Sequence, residues 1–363
     1  MSRFTSGFAL GIVLVGLAAA AALGAGGATA QTSSNWFNAY SLVSDGPAVS
    51  APLPDASLVN GWGLTAGPTT PWWTSNNKTN TSTLYSGGGT KSNLTVNVAG
   101  GPTGTVFNGN AAAFLVSQNG KSGSARFLFA TEAGTILGWS PTVNGTNAVT
   151  AVDRSAQGAV YDGLATLNDR LYAADFHNAR VDVFDAAFAP VSLTNGFTDS
   201  QIPSGWAPFG IQALNGNIFV TYAQQNSAKT DALMGGGLGY VDEYSPDGVL
   251  IARVAKRGLP KAPLNAPWGL AMGPSNFGGF SGDLLVGNFG NGKISAYKPP
   301  ATAGGKWTYK GQLRVATGAI IKIEGLWAIA FGNGAAAGQT NNLYFLAGPT
   351  GESHGLFGFI SVG

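Results

Sequence analysis

The chain has 363 residues, of which 55 are Gly, 11% are aromatic and only 10% carry a charge. So few Glu, Lys and Arg residues argue against a protein built from surface helices, whereas abundant Gly and aromatic residues favour short strands and tight turns, so we predict an all-β fold. The balance of 19 basic and 17 acidic residues gives no electrostatic basis for nucleic acid as a partner, and the absence of Cys excludes disulfides and thiolate chemistry.

The first 30 residues have the pattern of an export signal. Arg3 is followed by an apolar run over residues 8–23 and by the small-residue sequence ATA that ends at Ala30. The run is shorter than the ~20 apolar residues that a membrane-spanning helix needs. We therefore predict a signal peptide over residues 1–30, cleavage after Ala30, and a single secreted or periplasmic domain over residues 31–363 with no membrane span. An uncleaved membrane anchor is the alternative.

A short apolar pattern recurs along the rest of the chain. It reads NGWGLTAG at 60–67, YDGLATL at 161–167, PFGIQAL at 208–214, PWGLAMG at 267–273 and EGLWAIAFG at 324–332. Its anchor residues are Gly63, Gly163, Gly210, Gly269 and Trp327, which stand 100, 47, 59 and 58 residues apart. The first spacing is double the others, so we predict a degenerate copy near residue 113, where NAAAFLVSQ occupies 110–118.

Each unit continues with a second apolar strand, a polar turn and a third strand that ends on an aromatic residue. These ends are Tyr85, Trp139, Phe184, Tyr244, Tyr297 and Phe359. Six units of ~50 residues, each with room for four short strands, are typical of a β-propeller. WFNAYSLV at 36–43 is a spare strand that could cover the open edge of the last unit. We predict a six-bladed β-propeller closed by this N-terminal strand; seven blades or a β-helix are the alternatives.

Two units carry a resemblance to a known repeat. Unit three, with Gly163, LYAAD at 171–175 and Asn178 before Arg180, resembles an NHL repeat, as does LLVGNFGNGKISAY at 284–297. The layout of nearly the whole mature chain, with WGLTAGPTTPWWTSNN, ADFHNARVDVF and the closing AGPTGESHGLFGFI, is similar to a family of uncharacterised secreted bacterial β-propeller proteins. The resemblance implies a propeller fold and an exported location, and it implies no particular activity.

Oxygen-bearing residues recur where the second strand of a unit ends. Alignment on the terminal aromatic residues places Asn76, Asp175 and Asn288 at one equivalent position of units one, three and five. A ring of such oxygens near the channel would suit Ca²⁺ or another divalent cation. The alternative is that each side chain caps its own turn by bonding the local backbone.

Both histidines of the chain fall in turns between a second and a third strand. His177 lies two residues after Asp175, and His354 two residues after Glu352, so each pair is a candidate for acid–base chemistry or ligand binding. Units three and six are diametrically opposed in a six-membered ring, so we expect separate roles. A structural turn role for each histidine is the alternative.

The longest turn belongs to unit four. AQQNSAKTDALMGGG at 223–237 contains a Gly run for hinge freedom, and its only charged residues are Lys229 and Asp231. Long loops in compact folds often act as lids or binding loops, so we predict that these residues contribute to a ligand site. An insertion without function is the alternative.

These features favour an exported binding or scaffold module. Its ligand, an unidentified molecule of the envelope or the extracellular medium, would lie on the rim formed by the turns between second and third strands and the unit-four loop. The alternative is an enzyme, because propellers similar in repeat, such as gluconolactonase-like hydrolases and amidating lyases, use a channel-bound divalent cation as a Lewis acid. In that case Asn76, Asp175 and Asn288 would hold the metal, and His177 or His354 would transfer protons.

Overall fold

Six antiparallel sheets are arranged as blades around a central channel. The computed structural model describes residues 35–258 and 263–363. In each blade the strand order runs from an inner strand beside the channel to an outer strand. The predictions of an all-β fold and a six-bladed propeller are confirmed. The predicted signal peptide and its cleavage site lie outside the described residues.

The strands follow the blades in chain order. The chain enters with β1 (Phe37–Ser44) and β2 (Leu53–Pro54). Blade one contains β3 (Gly61–Thr65), β4 (Trp72–Asn76), β5 (Thr81–Tyr85) and β6 (Lys91–Asn97). Blade two contains β7 (Pro102–Phe107), an inserted hairpin of β8 (Leu115–Gln118) and β9 (Lys121–Ser124), then β10 (Phe127–Thr131), β11 (Thr135–Trp139) and β12 (Val149–Asp153). Blade three contains β13 (Tyr161–Leu167), β14 (Arg170–Asp175) and β15 (Arg180–Phe184).

The second half of the ring repeats this plan. Blade four contains β16 (Trp206–Leu214), β17 (Asn217–Gln225), β18 (Ala232–Leu233), β19 (Tyr240–Tyr244) and β20 (Leu250–Ala255). Blade five contains β21 (Pro267–Met272), β22 (Leu284–Asn288), β23 (Ile294–Lys298) and β24 (Thr308–Gln312). Blade six contains β25 (Leu326–Phe331), β26 (Leu343–Ala347) and β27 (Leu356–Val362).

Helical structure is confined to single turns. These are the 3₁₀ turns Ser155–Gln157 and Gly278–Phe280 and the turn α1 (Pro349–Glu352). Within the described ranges, the helices are too short to span a bilayer.

Strands near the channel are buried on both faces. β10 (FLFAT), β22 (LLVGN) and β26 (LYFLA) have no exposed position, because each blade packs between two others. Their sequences are therefore almost continuously apolar instead of alternating with a period of two.

The ring closes through the N-terminal strand, as predicted. β1 pairs antiparallel with β27, from Phe37 opposite Val362 to Ser44 opposite Leu356. Phe37 is fully buried, and its ring lies 4.9 Å from that of Phe277 in blade five. The outer edge of blade six is thus made by residues from the other end of the described chain.

One detail of the predicted repeat is wrong. The segment 110–118 is not the inner strand of blade two; it leads into the inserted hairpin, and β7 pairs with β10 in the inner position. The sequence of β7, PTGTVF, has Thr103 where four of the other five units have an aromatic residue and Thr105 where all five have Leu or Ile, so the apolar pattern does not reveal it. Gly104 holds the anchor position there.

The inner strands contact one another backbone to backbone around the channel, in the order β3, β7, β13, β16, β21, β25 and back to β3. A Cβ atom at Gly63 would overlap the carbonyl oxygen of Thr103 on the next blade, and one at Gly210 would overlap that of Trp268. Gly104, Gly163 and Gly269 face the next inner strand in the same way. In blade six this position is Ala328, one residue after the anchor predicted at Trp327.

Alternate turns lie on opposite faces of the propeller. Turns between first and second strands define what we call the lower face. Turns between second and third strands, together with the connections from blade to blade, define the upper face.

Gly210→Ala should destabilise the ring, because the added methyl group would push two inner strands apart. We expect a loss of roughly 1–3 kcal/mol in the free energy of unfolding, measured by urea denaturation. Gly46→Ala is the matched control, because nothing lies within 4 Å of a Cβ at Gly46 and its φ is not left-handed. Equal losses in both variants would show that the close packing of inner strands is not a stability constraint.

Candidate functional site

Aromatic side chains fill the channel just below its upper opening. On four inner strands the residue before the close-packed position is aromatic, namely Trp62, Phe209, Trp268 and Trp327. The Trp62 and Trp327 rings stack with centroids 3.7 Å apart, and Trp268 meets Trp327 edge-on at 5.9 Å. Phe289, which follows β22, stacks on Trp327 at 4.0 Å. We call these five side chains the aromatic floor.

Asp162 occupies the corresponding position on the inner strand of blade three. Its side chain is 1% exposed, and its Oδ1 atom has no hydrogen-bond partner among the described residues. The buried Nε1 atom of Trp62 likewise has none within the described ranges. Burial raises the pKa of Asp162 well above its usual range. Asp162 Oδ1 and Trp62 Nε1 both belong to inner-strand residues at the channel, where an unpaired donor and an unpaired acceptor favour a binding position.

Three further carboxyl groups surround this position, and they come from alternate blades. Glu132 follows β10 in blade two, Asp231 lies in the blade-four hairpin, and Glu352 ends the turn α1 of blade six. All three add to the raised pKa of Asp162. Burial also raises the pKa of Glu352, Lys78 opposes that shift, and Glu132 and Asp231 add to it. We call Glu132, Asp162, Asp231 and Glu352 the acidic mouth.

Two amide side chains, those of Asn60 and Asn77, position the glutamates of the acidic mouth by hydrogen bonds. Trp327 Nε1 donates to Asn60 Oδ1 at 2.9 Å, and Asn60 Nδ2 donates to Glu352 Oε2 at 2.7 Å. Asn77 Nδ2 donates to Glu132 Oε2 at 2.7 Å. The Oε1 atoms of both glutamates accept no hydrogen bond from any residue in the described part of the chain, so each glutamate is oriented by one oxygen and can offer the other to a ligand.

The turn that presents Glu352 has an unusual backbone. Thr350, Gly351 and Glu352 have φ values of 57°, 61° and 67°, a run of three left-handed residues. Such a conformation costs roughly 1–2 kcal/mol for each residue other than glycine. Glu324 Oε1 supports the turn by accepting a hydrogen bond from the Thr350 backbone nitrogen at 2.9 Å. Strain of this kind concentrates at functional sites.

A cavity of about 460 Å³ adjoins the acidic mouth on the upper face. Its side-chain lining combines apolar and charged groups: Met234, Phe289, Asn291, Lys322, Glu324 and Glu352. Phe289 belongs to the aromatic floor and Glu352 to the acidic mouth, so the cavity is continuous with both.

The unit-four loop is an ordered hairpin. β18 pairs with the end of β17, with Gln225 opposite Ala232. Lys229 is exposed at the tip, while the Asp231 carboxylate accepts hydrogen bonds from Asn226 Nδ2 at 3.2 Å and from Thr230 Oγ1 at 3.0 Å. After the hairpin, Met234 reaches the cavity with 62% of its surface exposed. The structure therefore brings Asp231 and Met234 to the site and leaves Lys229 in solvent.

The residues predicted to hold a metal are fully buried, and each is bonded within its own surroundings. Asn76 Oδ1 accepts from Thr74 Oγ1 at 2.9 Å, and Asn288 Oδ1 accepts from the Asn265 backbone nitrogen at 2.9 Å. Asp175 caps its turn by accepting from Asn178 Nδ2 at 2.8 Å. Asp175 thus caps its turn as the alternative predicts, and Asn288 does so through Nδ2, which donates to the Lys293 carbonyl at 3.0 Å, whereas the Asn76 side chain bonds only other side chains among the described residues. A metal-binding role for the three stays a prediction. Across residues 35–258 and 263–363, His, Asp and Glu form no group of three placed to hold a metal ion.

The two histidines lie on blades three and six. His354 Nδ1 is 2.8 Å from Asp45 Oδ2, and the neighbouring Gly355 backbone nitrogen donates to Asp45 Oδ1 at 3.0 Å. This contact fastens the blade-six turn to the segment that follows β1. The His177 ring is half-buried beside Gly158 and has no hydrogen bond to a described residue. Acid–base roles for His177 and His354 stay predictions.

Sequence analysis missed two members of the acidic mouth. Asp162 had a usable signal, because it is the one acidic residue at a position where the aligned units carry Trp62, Phe209, Trp268 and Trp327. Glu132 had none, because its role depends on Asn77 of the preceding blade.

The fold and the channel define the chain as a six-bladed propeller of a kind that lyases and dehydrogenases share. The structure of streptogramin B lyase matches with a TM-score of 0.51 and 12% identity over 90% of this chain and 98% of that one. The soluble aldose sugar dehydrogenase of Escherichia coli matches with a TM-score of 0.53 and 13% identity over 90% of this chain and 100% of that one. At these identities the likeness establishes the fold alone.

No model of a known protein family matches the sequence. Two uncharacterized proteins of Acanthamoeba polyphaga mimivirus are similar to it. Protein R640 is 33% identical over 232 residues, which cover 63% of this chain and 42% of that protein, so the chain spans less than half of its length. Protein R648 is 30% identical over 290 residues, which cover 76% of this chain and 69% of that protein. The chain belongs to the same family as protein R648.

Asp162→Asn should make stability less dependent on pH. Because the folded-state pKa of Asp162 is raised, the folded chain keeps a proton that the unfolded chain releases above about pH 3.8, the unperturbed value. The free energy of unfolding therefore falls as pH rises from that value to the folded-state pKa, by about 1.4 kcal/mol for each unit of difference. The uncharged Asn variant should be more stable than the parent protein at pH 8 and should show a flatter slope.

The measurement is urea denaturation at pH 5 and pH 8, with Asp247→Asn as the control, because Asp247 is exposed and paired with Arg170. A parent-like slope in Asp162→Asn would contradict the raised pKa of the buried Asp162 carboxyl group.

Proposed function

We propose that the protein is an exported binding module that takes up an organic cation, a ligand with an ammonium group on an apolar body, at the acidic mouth and the adjoining cavity. The observation that carries the proposal is the convergence of carboxyl groups from blades two, three, four and six beside the aromatic floor, at the upper end of the channel. The ligand would come from the envelope or the extracellular medium.

The electrostatics of the mouth favour a cation. Glu132 and Asp231 both raise the pKa of Glu352, so the three groups repel one another when ionised. Lys78 opposes the shift of Glu352. A bound ammonium group would relieve this repulsion and donate hydrogen bonds to the free Oε1 atoms of the two glutamates.

The floor and the cavity favour an organic cation over a bare metal ion. Tryptophan faces attract cations, by about 0.5–2 kcal/mol depending on desolvation. A volume of about 460 Å³ lies in the range of small-molecule sites, and Met234 and Phe289 give its wall an apolar part. An ammonium group in the mouth and an apolar body in the cavity would use both regions.

Benzylammonium, whose N–H groups can donate to the glutamates, is a suitable probe, and benzyl alcohol is its neutral counterpart. We expect the cation to quench tryptophan fluorescence in a saturable way, with an affinity that falls at high salt. The double variant Glu132→Gln/Glu352→Gln keeps the hydrogen-bond acceptors for Asn77 and Asn60 but removes two charges. It should weaken binding by roughly 10-fold or more, as expected for lost charge-assisted contacts.

Asp247→Asn, which removes a single charge on the lower face, is the control and should bind like the parent protein. Ca²⁺ is titrated in the same assay, because competition by millimolar Ca²⁺ would favour the metal-dependent alternative. Equal affinity of the parent and double variants for the cation would refute the acidic mouth as its site.

The blade-four hairpin should contribute the apolar part of the site. Leu233 and Met234 are 43% and 62% exposed, so Leu233→Ser/Met234→Ser should leave the melting temperature nearly unchanged while weakening benzylammonium binding several-fold. Leu115→Ser is the control, because Leu115 is 53% exposed in the lower-face hairpin β8–β9. Unchanged binding in the hairpin variant would remove the hairpin from the site.

A further inference from the structure

A second cavity lies on the lower face, at the opposite end of blades one and two from the acidic mouth. Its volume is about 580 Å³. The side chains that matter for its chemistry are Trp73, Leu84, Phe107, Arg126, Phe127 and Trp139. They come from the lower ends of the strands and from the residue before β10, and the loop 68–71 forms the rest of the wall.

The aromatic wall is rigid because its rings support one another. Trp73 and Phe127 stack with centroids 3.9 Å apart, and Trp139 lies 4.7 Å from Trp73. Trp139 Nε1 is fixed by a hydrogen bond to the Gly145 carbonyl at 3.1 Å. Preformed aromatic walls of this kind bind flat apolar groups with little loss of conformational entropy.

Arg126 lies in this wall and forms no ion pair with a described residue. Its guanidinium carbon lies 5.1 Å from the Phe107 ring centre, and it has no ion pair or side-chain hydrogen bond to any described residue. Arg170 and Arg253, in contrast, pair with carboxylates. None of the described residues that line this cavity is acidic.

The cavity has a second hydrogen-bond donor, which also favours an anionic ligand with acceptor atoms. Trp73 Nε1 has no hydrogen-bond partner in the described ranges, although the Trp73 ring is almost fully buried. The cavity therefore offers an apolar wall, one charged donor group and one neutral donor, and its acceptors are confined to a few loop and backbone oxygens. A guanidinium group matches a carboxylate with two parallel hydrogen bonds, which makes it selective for that group.

We propose that this lower-face cavity binds an aromatic carboxylate, with the ring against Trp73, Phe127 and Trp139 and the carboxylate on Arg126. The site has the opposite charge preference to the acidic mouth, and it does not depend on the function proposed for the mouth. The two faces of the propeller thus select ligands of opposite sign.

The test uses 2-naphthoate as the probe and 2-naphthalenemethanol as its neutral counterpart, with the full chain and isothermal titration calorimetry. We expect saturable binding of 2-naphthoate, and binding roughly 10- to 100-fold weaker both for the neutral compound and for Arg126→Met. Arg154→Met is the matched control, because Arg154 also lies over an aromatic ring, Phe184, at 5.8 Å but belongs to another surface. It should bind like the parent protein.

A blocking variant tests the cavity without touching Arg126. Gly109 lines the cavity, and a Cβ there would meet only Phe107 at an ordinary 3.7 Å, so Gly109→Leu should fold normally and exclude 2-naphthoate. Glu352→Gln should leave the affinity for 2-naphthoate unchanged, which separates this site from the mouth. The proposal is overturned if Arg126→Met or Gly109→Leu binds 2-naphthoate as tightly as the parent protein, or if the parent protein does not bind it.

Discussion

Close approach of the inner strands is the constraint on which the rest of this propeller depends. Five of the six inner strands have glycine where a side chain would collide with the next strand, so the backbones themselves form the wall of the channel. Successive side chains along a strand point in opposite directions, so the side chain before each glycine points into the channel. Packing geometry, with no reference to any ligand, decides that Trp62, Phe209, Trp268, Trp327 and Asp162 meet there.

The same constraint explains how much the sequence alone could predict. Blade number, ring closure and most anchor positions followed from a repeat that every blade must satisfy to fit the ring. The inner strand of blade two was missed because Gly104 satisfies the packing requirement between two threonines, whereas the prediction relied on apolar neighbours. Asp231 and Glu352 were predicted from loop length and turn position. Glu132 could not be, because a contact with Asn77 between blades leaves no trace in either blade's own pattern.

Turn capping and ligand binding both use Asn, Asp and Glu side chains. In this protein the capping residues and the proposed ligand-binding residues lie at different positions along the blades. Asn76, Asp175 and Asn288 end their strands, and their side-chain oxygens accept hydrogen bonds from neighbouring protein groups, as buried polar atoms require. Three carboxyl groups of the acidic mouth, Glu132, Asp231 and Glu352, lie one or more residues beyond the ends of their second strands, whereas Asp162 lies within the inner strand β13. Sequence alignment on the strand ends therefore finds the residues that build the turns and passes over those that face the opening.

The contact between His354 and Asp45 places the seam of the ring, where β1 pairs with β27, beside the proposed binding site. Glu352 and His354 belong to one short turn, and its partner Asp45 comes from the segment that follows the closing strand β1. If β1 peels away from β27, the turn loses its anchor while the other five blades keep their own strands paired. Ligand affinity should then fall before circular dichroism detects any loss of β-structure. Pairing of β1 with β27 would in this way control binding in an otherwise rigid molecule.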